Sequence, residues 1–213
     1  MKKRHYLFLS AVMLLSFFFT SCGETDDAAD EFENWKERND TYFNNLYNRA
    51  KGGSSDLKVI TNWSLNEEVA TDADDHIVVQ VLEKGTGSGC PMYTDSVRVH
   101  YRGRLIPSSS FADGFVFDQS YSGVYNSETL KPASFALNSL VDGFTTAVMN
   151  MHIGDHWRVY IPYKLGYGTS SSSSKIPAYS TLIFDIALVA YYRPGTVMPV
   201  WKAKPFKGDW TDE

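Results

Sequence analysis

Four short runs rich in β-branched and aromatic residues lie between residues 76 and 189, and they are the feature that most limits how this chain can fold. Between these runs, only residues 140–151 have a helical pattern. One run alternates apolar and polar residues as a half-buried strand does. The runs cover residues 77–82, 97–101, 157–161 and 182–189. The sequence therefore predicts an α+β domain in which a sheet curls around one short helix.

A second helical pattern precedes this region. Apolar and aromatic residues recur there at near-helical spacing, at Phe32, Trp35, Tyr42, Phe43, Leu46 and Tyr47. They predict an amphipathic helix over residues 30–51 that ends at Gly52. Two interpretations stay open: the helix packs on its own domain, or it is an arm through which two copies form a homodimer. We expect the N-terminal unit, residues 30–74, to continue as a linker with one short strand.

The C-terminal region, residues 193–213, follows the last predicted strand. It contains prolines at positions 194, 199 and 205, which disfavour a helix. We therefore expect an extended tail whose aromatic residues, Trp201, Phe206 and Trp210, pack on the surface.

The first 22 residues have the pattern of an export signal. Three basic residues at positions 2–4 precede an apolar run over residues 7–19, which is shorter than the ~20 residues that cross a bilayer. Residues 19–22 read Phe-Thr-Ser-Cys and resemble a bacterial lipobox, although Phe19 stands where aliphatic residues are usual. The resemblance implies a signal peptide over residues 1–21 and a lipid on Cys22 that anchors the chain to a membrane. The alternative is an ordinary signal peptide that leaves Cys22 a free thiol.

Residues 22–29, an acidic stretch that begins with this cysteine, are interpreted as a tether. Gly23 argues against retention in the inner membrane, and Glu24, Asp26 and Asp27 resemble the surface-export signal of Bacteroidetes lipoproteins. We therefore expect an outer membrane lipoprotein of a Gram-negative envelope, and whether it faces the periplasm or the surface stays open. The alternative is that the acidic residues are only a solvated tether.

Charge and cysteine content exclude other classes of partner and site. Residues 1–21 hold three basic and no acidic residues, so their removal takes the formal charge from −5 to −8. No nucleic acid partner is expected of so acidic a chain. Cys90 then becomes the one thiol besides Cys22, and we expect it to be a small buried residue.

Several familiar catalytic patterns are missing or unconvincing. Gly85–Gly89 leads into a strand rather than into a helix, so it predicts a turn and not a phosphate site. His152 and His156 flank a predicted turn that aims them apart, so no metal is expected. Asp118 and Asp185 have no pattern that would set them as a glycosidase pair. No cofactor is expected.

Eight short motifs instead resemble, in order, those of the FK506-binding (FKBP) type of peptidyl-prolyl cis/trans isomerase. They are LEKGTG (82–87), VRVHYRG (97–103), FDQS (117–120), VDGF (141–144), MHIGD (151–155), IPYKLGYG (161–168), IP (176–177) and TLIFDI (181–186). The resemblance implies an isomerase domain over residues 75–192, built as an antiparallel sheet wrapped around a short helix. It also implies an aromatic cavity between the sheet and the helix that takes proline-containing polypeptides.

The same resemblance assigns roles to eight residues. It implies catalytic positions at Tyr101, Phe117, Asp118, Tyr167 and Phe184 and substrate-binding positions at Val141, Phe144 and Ile176. The backbone N–H of Val141 and the hydroxyl of Tyr167 would each receive a ligand carbonyl, and the ring of Phe144 would form the floor. Asp118 would orient Tyr101 or polarise the amide. Its alternative role is a salt bridge to Arg102 or to another surface cation.

The chain also departs from the family pattern. Phe144 stands where the family usually has Trp, and Ala133 stands where it often has an aromatic residue, which predicts a wider and weaker pocket. Residues 106–115 are longer than in compact members, and residues 166–176 carry a serine-rich insert. Two functions therefore stay open: an isomerase that assists the folding of envelope or secreted proteins, and a non-catalytic chaperone or surface lipoprotein that binds proline peptides.

Overall fold

The computed structural model describes residues 31–202. The predictions for the signal peptide, Cys22, the acidic tether, Phe206 and Trp210 lie outside these residues. Within 31–202, no helix combines the length and the apolar character needed to cross a membrane.

A seven-stranded antiparallel sheet forms the body of the domain. The strands are β1 (Leu57–Thr61), β2 (His76–Glu83), β3 (Ser96–Arg104), β4 (Val116–Gln119), β5 (Ala133–Ala136), β6 (His156–Ile161) and β7 (Leu182–Tyr192). Their order in the sheet is β1-β2-β6-β7-β3-β4, and β5 pairs with the part of β3 that β4 leaves free. The sequence predicted β2, β3, β6 and β7 and the short strand now labelled β1. It missed β4 and β5, which are four residues each and too short to show a period.

The central strands are apolar because both of their faces are covered. Six of the first seven residues of β7 are buried, and β3 alternates more clearly because one part of it is half-exposed. One helix, α2 (Asp142–Met149), crosses the concave face and buries Phe144, Ala147 and Val148 there. Gly143 allows this close approach, since a Cβ at that position would lie 2.3 Å from a side-chain carbon of Ile161. The α+β prediction of a sheet wrapped around a short helix is confirmed.

The N-terminal helix, α1 (Trp35–Lys51), packs on its own domain. It buries Trp35, Phe43 and Leu46, and it also buries the amide of Asn39 completely. The helix begins five residues later than predicted, because Asn34 takes a left-handed conformation with φ 51° and breaks the helical path. It ends as predicted, with the N–H of Gly52 donating to the carbonyl of Asn48 at 2.8 Å.

Cys90 is half-buried rather than buried, so that prediction was wrong. It lies in the loop between β2 and β3 instead of the core, and its sulfur is 3.9 Å from Nε2 of His152. In the tail, residues 193–202 have no regular secondary structure, and the Pro199 carbonyl accepts a hydrogen bond from Arg98. Trp201 is half-buried and lines a groove together with Leu188 of β7.

Candidate active site

A cavity of about 240 Å³ opens between α2 and the sheet. Its wall is mainly aromatic, with one carboxylate and one exposed phenol at the mouth. The lining residues are Tyr101, Asp118, Phe135, Ser139, Leu140, Val141, Phe144, Tyr167 and Phe184. Six of these, all but Phe135, Ser139 and Leu140, were predicted from the sequence as site residues, so residues spread from position 101 to position 184 come together here.

The floor consists of aromatic rings that meet edge to face. The Phe144 ring lies 5.2 Å from that of Phe184 and 6.3 Å from that of Tyr101, nearly perpendicular to both. This arrangement suits the quadrupoles of the rings and leaves little freedom for any one of them to turn. Phe144 is only 4% exposed, so its phenyl ring is buried at the position where the family usually has Trp.

Phe117 supports this floor from behind, and neither Phe117 nor Ile176 is part of the cavity lining. The Phe117 ring is 5.5 Å from that of Phe184 and perpendicular to it, and both residues are buried. Gly103 makes room for the pair, because a Cβ there would lie 2.6 Å from each ring. Ile176 is also buried, beside its bridge to Ser173 at the end of the serine-rich insert.

Sequence reasoning missed Phe135, which contributes an aromatic wall. Its ring lies 5.7 Å from that of Tyr101. Ala133 is the residue the family comparison pointed to, and its side chain is half-buried and not part of the cavity lining. Because side chains two apart on a strand share a face, Phe135 was the candidate to consider once Ala133 was seen to be small. The ring of Phe135 therefore offsets part of the space that Ala133 leaves.

The polar feature of the cavity is a hydrogen bond between Tyr101 and Asp118. The Tyr101 hydroxyl donates to Oδ2 of Asp118 at 2.7 Å, and Oδ1 accepts from the N–H of Gln119 at 2.9 Å. Burial of the ring raises the pKa of Tyr101, and the bond to the carboxylate raises it further. Tyr101 is therefore a protonated donor at neutral pH. Arg102 bonds to Gln119 instead, and no salt bridge to Asp118 is found among the described residues.

Tyr167 stands at the mouth of the cavity with 42% of its surface exposed. It follows a short 3-10 helix, Tyr163–Leu165, and the next residue, Gly168, has φ 76° and turns the chain. The N–H of Gly168 donates to the carbonyl of Tyr163 at 2.8 Å, which closes this turn. Partial burial raises the pKa of Tyr167, so its hydroxyl also keeps its proton.

Val141 lies on the opposite side, as the N-cap of α2. The first N–H groups of a helix have no acceptor within the helix, so they are available to a ligand carbonyl. Leu140 precedes it and is half-buried against the core. The cavity thus offers a backbone donor, a phenol donor and an aromatic floor.

Asp185, which the sequence analysis considered as a partner of Asp118 in a glycosidase pair, forms salt bridges with two arginines. Asp185 is held by Arg104 at 2.7 Å and by Arg158 at 2.6 Å, away from the cavity lining. Across residues 31–202, no group of three or more His, Cys, Asp or Glu side chains is placed to hold a metal ion.

Comparison with known proteins identifies the family. The profile of the FKBP-type peptidyl-prolyl cis-trans isomerases matches residues 87–189. A curated relative, the macrophage infectivity potentiator of Trypanosoma cruzi, is 30% identical over 198 residues, which cover 89% of this chain and 86% of that protein. The chain belongs to the FKBP-type peptidyl-prolyl cis-trans isomerase family. The resemblance seen in the motifs is thereby confirmed, and so is the prediction of an isomerase.

Other relatives agree over the isomerase region. The crystal structure of a peptidyl-prolyl cis-trans isomerase from Pseudomonas syringae superposes with a TM-score of 0.53 at 28% identity, covering 74% of this chain and 96% of that one. The outer membrane protein MIP of Legionella longbeachae is 35% identical over 111 residues, 52% of this chain and 42% of that protein. This chain spans about half the length, or less, of the curated relatives that it matches over the isomerase region alone.

Proposed function

We propose that the cavity between α2 and the sheet is where this FKBP-type isomerase rotates X-Pro bonds of unfolded polypeptides. The reaction breaks no covalent bond and needs no nucleophile or cofactor. It faces only the resonance barrier of ~18 to 20 kcal/mol, which makes the uncatalysed step take tens of seconds or longer. A site accelerates it by holding the twisted amide more tightly than either planar form, in surroundings without water. An aromatic cavity supplies those surroundings.

The cavity residues divide this work in the proposal. The Phe144 ring receives the proline, and the rings of Phe184 and Phe135 exclude water from the amide. The N–H of Val141 and the hydroxyl of Tyr167 each donate to a substrate carbonyl. The Asp118 carboxylate holds the Tyr101 hydroxyl in place, which presents a fixed dipole to the rotating bond.

The observation that carries this proposal is the 2.7 Å bond from Tyr101 to Asp118 inside a mainly aromatic wall. A phenol and a carboxylate add nothing to a purely hydrophobic packing site. They are expected where a polar amide has to be oriented. Phe117 acts in this proposal by supporting the ring of Phe184 from behind, and Ile176 acts as a buried residue at the end of the serine-rich insert.

The test is the cis-to-trans rate of a short peptide with Leu before Pro. We expect a large acceleration by the purified protein and its loss in the double variant Tyr167→Phe, Asp118→Ala. The matched control is Tyr93→Phe, Asp74→Ala, which makes the same chemical changes outside the cavity. If the folded wild type does not accelerate rotation but still binds the peptide, the non-catalytic interpretation replaces this one.

We also propose that the protein is an envelope lipoprotein anchored through Cys22, and that its clients are envelope or secreted proteins. The support is the lipobox-like sequence at residues 19–22, the acidic tether over residues 22–29, and the Legionella relative named as an outer membrane protein. Metabolic labelling with a fatty acid tests it. The wild type is expected to carry the label and to sediment with membranes, and Cys22→Ser is expected to lose both properties.

Because α1 packs on its own domain, we propose that it is not a dimerisation arm. Its apolar face is already covered, since Trp35, Phe43 and Leu46 are each less than 10% exposed. The homodimer through residues 30–51 remains a prediction, and sedimentation of the purified protein tests it. A monomer at micromolar concentration would support the packed interpretation, and a dimer lost on changing exposed residues of α1 would support the arm. We also propose that residues 75–192 form the isomerase domain and residues 193–213 an extended C-terminal tail.

A further inference from the structure

An apolar groove of about 340 Å³ lies between the N-terminal segment, residues 31–39, and two loops. The loops are residues 106–115 and the serine-rich insert at residues 166–176. We call this groove the aromatic groove. Phe32, Phe111 and Phe115 form one part of its lining, and Ser174 and Lys175 belong to the serine-rich insert on the other part. The groove is therefore made by the regions in which this chain departs from compact members of its family.

Two of its phenyl rings are unusually exposed. Phe32 is 37% exposed and Phe111 is 41% exposed, and the Phe111 ring lies 5.1 Å from that of Phe115. Single exposed apolar residues are common on proteins, but aromatic residues gathered around one concave surface are typical of a binding site. The chemistry of the groove suits a large apolar side chain.

The groove is fixed in shape by buried polar contacts. The carboxylate of Glu31 is 6% exposed and accepts from the hydroxyl of Ser109 at 3.0 Å and from the N–H of Ser110 at 3.2 Å. Four residues further on, Nε1 of Trp35 donates to the hydroxyl of Ser180 at 2.9 Å. The N-terminal segment therefore ties both loops together, and the groove exists before any ligand arrives.

One extended segment of the chain lines both cavities, with Phe115 at the groove and Asp118 at the active-site cavity. The Phe115 carbonyl accepts from the N–H of Leu105 at 3.0 Å, which extends the pairing of β3 with β4 beyond Val116. Asp118 at the cavity is three positions beyond Phe115, a path of ~10 Å in extended chain. Val116 between them is 38% exposed. The serine-rich insert, which contributes Ser174 and Lys175 to the groove, also contains Tyr167 of the cavity.

We propose that the aromatic groove is an extended substrate subsite, which binds an aromatic or large aliphatic side chain three to five residues away from the proline held in the cavity. This inference rests on the proposed function. The occupant is the same unfolded polypeptide, because an extended chain leaving the cavity reaches the groove after about three residues. The chain's own tether is a poor occupant, since residues 22–30 contain no aromatic residue and no large aliphatic one.

The test uses the full-length protein in mild detergent and peptides of equal length around a central Leu-Pro. One set carries Phe-Leu four residues before or after the proline, and the matched set carries Ser-Ser there. Burying one large apolar side chain is expected to raise kcat/KM about tenfold for the Phe-Leu peptide in one of the two placements. The double variant Phe32→Ala, Phe111→Ala is expected to lose this preference and to keep wild-type activity on the Ser-Ser peptides.

Two further variants keep the test decisive. Val69→Ala, Met92→Ala removes two exposed apolar side chains elsewhere and is expected to keep the tenfold preference. Ser174→Trp adds a ring at the groove and is expected to remove the preference without deleting any core contact. An equal Phe-Leu preference in the wild type, the double variant and Ser174→Trp would overturn the proposal, and so would the absence of any preference in the wild type.

A binding measurement separates failure of the subsite from failure of the active site. Fluorescence anisotropy is measured with the Phe-Leu and Ser-Ser peptides after their proline is replaced by alanine. About tenfold tighter binding of the Phe-Leu peptide, lost in Phe32→Ala, Phe111→Ala, supports the subsite even if no rotation is catalysed. If the substitutions change the sedimentation of the protein and leave peptide preference unchanged, the groove is a contact between copies and the proposal is wrong.

Discussion

The floor and the rim of the active-site cavity are built in different ways. The floor consists of buried rings on α2 and the central strands, which meet at 5.2 to 6.3 Å. We call the neighbouring loops at residues 106–115 and 166–181 the rim; Tyr167 is their contribution to the cavity lining. A few hydrogen bonds of buried polar groups hold these loops to residues 31–39. The floor depends on apolar area, which is insensitive to pH, and the rim depends on single polar contacts. A change in the floor should therefore cost more stability than a change in the rim, and only the rim's contribution should depend on single polar contacts and on pH.

The largest effect is expected from removing the floor. Phe144→Ala should lower the free energy of unfolding by about 3 to 5 kcal/mol, because it leaves a cavity among rings that cannot collapse into it. Urea denaturation measures this loss. Phe144→Leu keeps most of the volume and should lose less, and a loss below about 1 kcal/mol in Phe144→Ala would contradict a tightly packed floor.

A smaller loss is expected where α1 holds the rim. Asn39 donates to the carbonyl of Trp35 and accepts from the N–H of Thr181, both at 2.7 Å and both buried. Asn39→Ala leaves the Thr181 N–H without an acceptor, at a cost of about 1 to 3 kcal/mol. The control is Asn44→Ala, on the exposed side of the same helix. Equal midpoints for the two variants would mean that α1 does not hold this loop.

Between floor and rim lies the pair of Tyr101 and Asp118. Either Tyr101→Phe or Asp118→Asn should lower kcat/KM about tenfold, which corresponds to one lost charge-assisted hydrogen bond. Because the two residues act as one unit, the double variant should be about as active as either single variant. Additive losses, near a hundredfold, would show that each residue contacts the substrate independently.

The smallest effect depends on pH and belongs to the rim. Hydrogen bonds from the hydroxyls of Ser108, Ser110 and Ser109 lower the pKa of Glu31 from its ordinary 4.5 to about 2. A carboxyl group whose pKa is lowered by folding stabilises the folded state above its unfolded value, and this contribution is lost as the pH falls through the folded value. Wild type should therefore exceed Glu31→Gln in stability at pH 7, and the difference should shrink between pH 4.5 and about 2.

Chemical denaturation at pH 7 and at pH 3 measures this difference. A gap between wild type and Glu31→Gln that is the same at both pH values would show that the carboxylate charge is not what holds the loop.

The floor was more predictable from sequence than the rim. Strands such as β3 and β7 have apolar patterns that reflect burial, and Tyr101 and Phe184 lie within them. The contact of Glu31 with Ser109 joins residues 78 apart in loops that have no period, so no local pattern predicts it. Phe135 was missed because β5 is only four residues long. Cys90 was misjudged because cysteine is usually buried, whereas this one lies in a surface loop.

The central claim is that an X-Pro bond rotates inside the cavity at Tyr101 and Tyr167. NMR exchange spectroscopy of a Leu-Pro peptide at equilibrium measures rotation directly and shows which protein signals shift when the peptide is added. We predict faster cis-trans exchange with wild type, shifts centred on Val141, Phe144 and Tyr167, and loss of the faster exchange in Tyr167→Phe, Asp118→Ala. Exchange that stays fast in this variant, or shifts that leave the cavity residues unchanged, would contradict the account.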